Sequence, residues 1–131
     1  MRNYILCALC LLLFGCHKTY PNKLTPKESE FNSEERMIEI HTSRKINKVK
    51  FDCTASYPKM KPKDSSYSNG ILTYDGDWFN MRVNKNHPDS CYIIKFHIKK
   101  NDLGEKRKVV FYVQGDIHTK TTGGSITQNA Q

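Results

Sequence analysis

Beyond residue 15 this chain holds almost none of the residues from which helices are usually built: two alanines and three leucines. That scarcity argues against a helical bundle. The only long apolar run is Ile5 to Phe14, at the very start, so a multi-span helical membrane protein is excluded. Cysteine is sparse and badly spaced for a metal: of five residues, Cys7 and Cys10 fall in the opening apolar run, and Cys53 and Cys91 have neither CxxC spacing nor a histidine at ligand distance, which leaves no zinc framework and implies no metal or other cofactor. Signature loops of catalysis are missing too. There is no GxSxG, HExxH, P-loop or GxGxxG. Acidic residues fall short of basic ones, 13 against 21, for a formal net charge of +8.

What is present falls into an address and a domain. Arg2 followed by ten unbroken apolar residues suits the core of a secretory signal and is too short to span a bilayer, which takes ~20. The following Leu13-Phe14-Gly15-Cys16 resembles the lipobox of bacterial lipoproteins, with Phe14 bulkier than that pattern prefers. The resemblance implies cleavage after residue 15 and diacylation of Cys16. Two acyl chains, at ~0.8 kcal/mol per buried CH₂, are enough for stable anchoring. Residues 16–35 hold Pro21, Pro26 and four glutamates without apolar periodicity, and are read as the lipid anchor and tether. The folded domain is expected over 36–131. Cys53 and Cys91 are then the one pair left in a disulfide-permitting compartment; they form either a single disulfide or two buried thiols.

The domain is rich in pleated-sheet formers: after residue 15 the chain has five valines, nine isoleucines, nine threonines and twelve aromatics. Apolar and polar residues alternate over 37–41, 49–55, 71–74, 79–84, 92–99 and 109–114, with a last strand around Ile126. Asn101-Asp102-Leu103-Gly104 reads as a hairpin turn between the strands on either side of it, with Gly104 taking a positive φ, and Gly123-Gly124 reads as another turn. Tyr57 to Gly70 is a long polar loop. Short strands at regular spacing predict an all-β, antiparallel sandwich of about seven strands.

The second half of the chain resembles the BACON domain. The resemblance rests on Asn101-x-x-Gly104-x-x-Arg107, on Val109-x-Phe111-x-Val113, on Ile126-Thr127-Gln128, and upstream on Asp77-Trp78-Phe79-Asn80-Met81 and Ile94-x-Phe96-x-Ile98. It covers about residues 70–130. It implies an immunoglobulin-like sandwich in the envelope of a Bacteroidota cell, with a proposed role in binding carbohydrate. Fold analogy alone does not carry that role across.

Candidate chemistry is correspondingly non-catalytic. Asp116-x-His118 has no nucleophile linked to it, Glu34-Glu35 lies in the tether, and Asp75-x-Asp77 lies in a turn; the chain is not expected to be an enzyme. Aromatic faces and planar polar groups that suit a sugar are Tyr57, Tyr67, Tyr74 and Trp78, with Asn69, Asn80 and Arg82 nearby. A strand tryptophan more often belongs to the core. Basic clusters over 44–63 and 95–108 would by charge alone suggest nucleic acid, but the exported address excludes it. Anionic envelope material fits better: lipopolysaccharide phosphate, an acidic glycan, or an acidic partner protein. The stretch after Cys16 carries no acid before Glu28, which favours the periplasmic face of the outer membrane over the cell surface.

Overall fold

The computed structural model describes residues 18–131; the segment read as a signal and Cys16 lie outside the described residues. Ten strands form two sheets: β1 (Leu24–Thr25), β2 (Glu28–Phe31), β3 (Arg36–Thr42), β4 (Lys48–Phe51), β5 (Ser66–Ser68), β6 (Ile71–Asp75), β7 (Phe79–Asn84), β8 (Ile93–Ile98), β9 (Arg107–Gln114) and β10 (Thr122–Gln128). The larger sheet runs β1-β3-β8-β7-β6-β5 and the smaller β2-β10-β9-β4. Every pairing is antiparallel except β2 with β10. The expected all-β sandwich is therefore the fold, with ten strands instead of about seven because β1, β2 and β5 are short and lack a readable alternation.

Period-two alternation builds the core. Along β9, Arg107, Val109, Phe111 and Val113 turn inward while Lys108, Val110, Tyr112 and Gln114 turn out. Ile40, Met81, Val83, Ile94, Phe96 and Ile98 meet them from the larger sheet, all of them essentially inaccessible to solvent. Phe79, Phe96 and Phe111 bridge the layers in tilted contact, with ring centroids 5.2–6.1 Å apart. Aromatic pairs of this geometry are worth ~0.5–1.5 kcal/mol beyond the area they bury.

Four sequence expectations change here. Residues assigned to the tether belong to the fold: β1 pairs with β3, the chain turns at Pro26 into the other sheet, and β2 carries buried Phe31. One buried side chain in each of these short strands was too little periodicity to read. The segment Asn101–Gly104 is not a hairpin, because β8 and β9 lie in different sheets; residues 99–106 cross between layers. Gly104 also lacks a positive φ, which among the described residues falls only to Asn69 and Gly70. Gly123 and Gly124 are not a turn either. They lie inside β10, directly opposite Tyr112 and Phe111. Finally, the strand begun at Lys48 stops at Phe51, where the Asp52 carboxylate accepts from the Thr54 and Ala55 amides and bends the chain.

The disulfide is not formed: Cys53 and Cys91 are free thiols. The Cys91 carbonyl accepts from the Ile46 amide at one end of β4 (3.0 Å), whereas Cys53 lies beyond the other end. From Ile46 to Phe51 an extended chain advances about 16 Å, while a disulfide needs Cα atoms within about 7 Å. Cys91 Sγ donates instead to the Pro88 carbonyl at 3.0 Å and Cys53 Sγ to that of Phe51 at 3.7 Å. Reductant should accordingly leave the melting temperature unchanged, and both thiols should react with a thiol reagent in denaturant. A reductant-sensitive midpoint would contradict this arrangement.

Candidate functional site

The two ends of the sandwich differ. At one, called here the Trp78 end, four connections converge: 32–35, 52–65, 76–78 and 99–106, together with the C-terminal residues. Buried Gln128 donates its side-chain amide to the carbonyls of Ser33 (3.0 Å), Glu34 (3.2 Å) and Lys99 (2.9 Å). Buried Asn101 donates to the Glu105 and Asn129 carbonyls and accepts from the Leu103 amide. Arg107, the register partner of Gln128, reaches the Lys100 carbonyl and lays its guanidinium 5.6 Å from the Trp78 ring centroid. Burial lowers the pKa of that guanidinium from its ordinary value. Four of the residues behind the BACON resemblance, Trp78, Asn101, Arg107 and Gln128, thus lie at this end, where they tie loops together.

Beside this cluster opens a cleft of about 340 Å³. Pro58, Lys59, Met60, Lys61 and Lys63 form one wall, and residues 74–79 of the β6–β7 connection form the other. The local sequence explains the wall. Met60 packs against the core and fixes the loop, which leaves exposed lysines at 59, 61 and 63. Lys63 Nζ donates to the Asp75 carbonyl and lies 5.7 Å from the Tyr74 ring centroid. The carboxylates of Asp75 and Asp77 border the same space. An opening with ammonium groups, carboxylates and carbonyls around aromatic edges can take a polar, hydroxyl-rich or anionic group. Among the described residues no cluster of histidine, cysteine and carboxylate side chains suited to a metal occurs.

The predicted sugar-binding residues do not form a single site. Tyr74 and Trp78 line the cleft but are each only 6% exposed, and their faces are already occupied: Tyr74 stacks on Phe79 at 5.3 Å and Trp78 meets the Phe79 ring edge-on at 4.9 Å. Burial pushes the Tyr74 hydroxyl above its usual pKa. Tyr57 is 43% exposed and directly precedes the cleft wall, its backbone bonded to Lys108 in both directions. Tyr67 is 61% exposed on edge strand β5, with Lys85 Nζ 5.5 Å from its ring centroid. Asn69 lies in the turn after it, at positive φ.

Arg82 sits elsewhere again, on the outer face of the larger sheet. It lines a shallow groove with Asn84, His87, Ser90, Ile93 and Lys95. Its register partner is Lys95, a like-charge pair of the kind that weakens a sheet. Lys95 has a carboxylate, Glu39, at 3.9 Å; the Arg82 guanidinium has no ion pair or hydrogen bond among the described residues. Sequence reading missed His87, Ser90 and Lys95 as groove residues. The β7–β8 register brings Lys95 to Arg82, and the connection between those strands brings His87 and Ser90.

The Asp116-x-His118 pair resolves into a turn. Asp116 accepts from the His118 amide and the Thr119 hydroxyl, both at 2.9 Å, and these bonds hold its pKa below the ordinary value.

No family model matches the chain, and no curated protein matches it. Among solved structures, a protein from Bacteroides thetaiotaomicron determined by NMR is similar at a TM-score of 0.57 and 15% identity, over 87% of this chain and 91% of that one. A likeness at that identity speaks for the fold alone.

Proposed function

We propose that this chain is a non-catalytic binding module of the bacterial cell envelope, held by lipid on Cys16 at the periplasmic face of the outer membrane, whose ligand is a glycan or another anionic envelope molecule such as lipopolysaccharide. The cleft at the Trp78 end carries the reading. Three exposed lysines at alternate positions face two carboxylates across a gap of about 340 Å³, over a floor of aromatic edges. A BACON-like assignment is part of the proposal, supported by the way Asn101, Arg107 and Gln128 bond the connections at this end and Arg107 lies beside Trp78.

Binding to immobilised glycans and to lipopolysaccharide, at low and physiological salt, tests the proposal. Lys59→Glu, Lys61→Glu and Lys63→Glu together should weaken binding by more than about ten-fold, since like-charge juxtaposition costs several kcal/mol. Tyr67→Ala, away from the cleft, should leave it intact. Absence of saturable binding at either salt would sink the reading.

A second reading is docking on an envelope protein. It is favoured by β5, whose three residues are all exposed and whose outer edge has no neighbouring strand among the described residues. Such an edge is a template for an added strand. Capture of an envelope protein that is abolished by Tyr67→Pro and indifferent to the lysine substitutions would favour this reading over the first.

A further inference from the structure

We propose that the end of the sandwich opposite Trp78 seats on the anionic surface of a lipid bilayer, with Ile117 as its apolar contact. That end gathers residues 18–23, 43–47 and 115–121. The Tyr20 amide donates to the His118 carbonyl (2.6 Å) and the Lys120 amide to that of Tyr20 (2.8 Å). Lys23 and Ser43 exchange bonds through the Ser43 amide and hydroxyl, and the Asn47 side chain donates to the Gly115 carbonyl. The Arg44 guanidinium lies 4.5 Å from the Tyr20 ring centroid. This is an ordered surface of several linked segments.

Its composition is lopsided. Lys18, Lys23, Arg44, Lys45 and Lys120 stand in these three segments, and Lys85 in the β7–β8 connection at the same end, against two acids, Asp89 and Asp116, the latter engaged in its own turn. The Trp78 end is close to balance: its connections 32–35, 52–65, 76–78 and 99–106 hold seven acids against six lysines. The basic excess of the chain is thus polarised along the sandwich. In the middle of the basic end stands Ile117, 79% exposed, the most exposed large apolar side chain among the described residues. The Asp116 turn holds it at the tip of the β9–β10 connection, where it covers nothing in the domain.

Chain length says which surface this end meets. The placement rests on the lipid-anchor reading: Tyr20 is fixed in the fold and stands four residues from Cys16, a span of at most about 14 Å for an extended chain. Acyl chains on Cys16 would hold this end of the domain against the headgroups. Each Lys or Arg near an anionic leaflet contributes ~1 kcal/mol, which is about five-fold in partitioning. The surface chemistry itself does not depend on the lipid. The Trp78 cleft would then face away from the bilayer.

The unlipidated chain from residue 17 onward holds every strand found among the described residues and serves for the test. Its binding to phosphatidylglycerol vesicles and to phosphatidylcholine vesicles is compared by co-sedimentation. Binding to the first and not the second, reduced more than ten-fold by Lys45→Glu with Lys120→Glu and reduced again by Ile117→Asp, is the expected result. No binding to either vesicle overturns the proposal. So does binding equal on both, or binding that falls with the cleft lysines and ignores the basic end. Labelling of Cys16 with a palmitate analogue in cells is read separately. Labelling without vesicle binding refutes the seating and leaves the anchor, while vesicle binding without labelling removes the tether and leaves the surface.

Discussion

Gln128→Ala should cost about 3–5 kcal/mol of folding stability and lower the melting temperature by roughly 12–20 °C. The magnitude follows from position. Gln128 is fully buried at the last residue of β10, and its one amide group serves the carbonyls of Ser33, Glu34 and Lys99. Those residues come from two different connections, so one side chain closes the gap between them. Alanine leaves the Glu34 and Lys99 carbonyls without that donor, while the Ser33 carbonyl keeps the Asn101 amide, and it opens a hole where the side chain stood. Each buried polar group left unpaired costs ~1–3 kcal/mol, and a domain of this size has only ~5–15 kcal/mol in total. Gln128→Met, which restores most of the volume and none of the hydrogen bonds, separates the two contributions. It should recover no more than the cavity part. Urea midpoints for the three proteins decide the matter; a Gln128→Met protein as stable as wild type would show that the amide does no structural work.

How much of this was legible in sequence depends on the scale of the feature. The β class was readable because Val109, Phe111 and Val113, or Ile94, Phe96 and Ile98, alternate cleanly and bury cleanly. Partnership was not. Nothing local in Asn101–Gly104 reveals that the strands on either side lie in different sheets, because a turn between layers uses the same asparagine and aspartate as a hairpin does. The candidate site was legible only in pieces. Lys59, Lys61 and Lys63 read as a charge run, and Tyr74 and Trp78 as aromatics of uncertain side; the fold sets the run beside the pair and buries the rings. Arg82 was singled out without its groove, since His87, Ser90 and Lys95 reach it through the β7–β8 register and the loop between those strands. Gln128 shows the reverse case. It was visible as a motif residue, yet its role in holding three carbonyls needed the packing of two distant connections.

The glycines make the same distinction quantitative. Gly124→Ala should cost about 2–3 kcal/mol, near the top of the ordinary overpacking range, and lower the melting temperature by roughly 8–12 °C. A Cβ there would stand 2.6 Å from Phe111 Cζ and 2.8 Å from the Lys27 carbonyl oxygen. The first neighbour is the ring that fills the core opposite β10; the second is backbone, where the chain passes from β1 into β2 and accepts from the Ser125 amide. Neither yields without moving a strand. The tandem glycines therefore let aromatic rings lie on both faces of β10, Phe111 inside and Tyr112 outside, where a Cβ on residue 123 would stand 3.0 Å from Tyr112 Cε1. Gly104→Ala is the control. Its added Cβ meets nothing within 4 Å and its φ is not positive, so the substitution should be neutral, or stabilising by ~0.4–1 kcal/mol through the unfolded chain. Equal destabilisation by both substitutions would mean that Gly104 is held in a conformation this structure does not contain. A harmless Gly124→Ala would mean that β2 does not lie against β10 and that the fold begins, as composition first suggests, near residue 36.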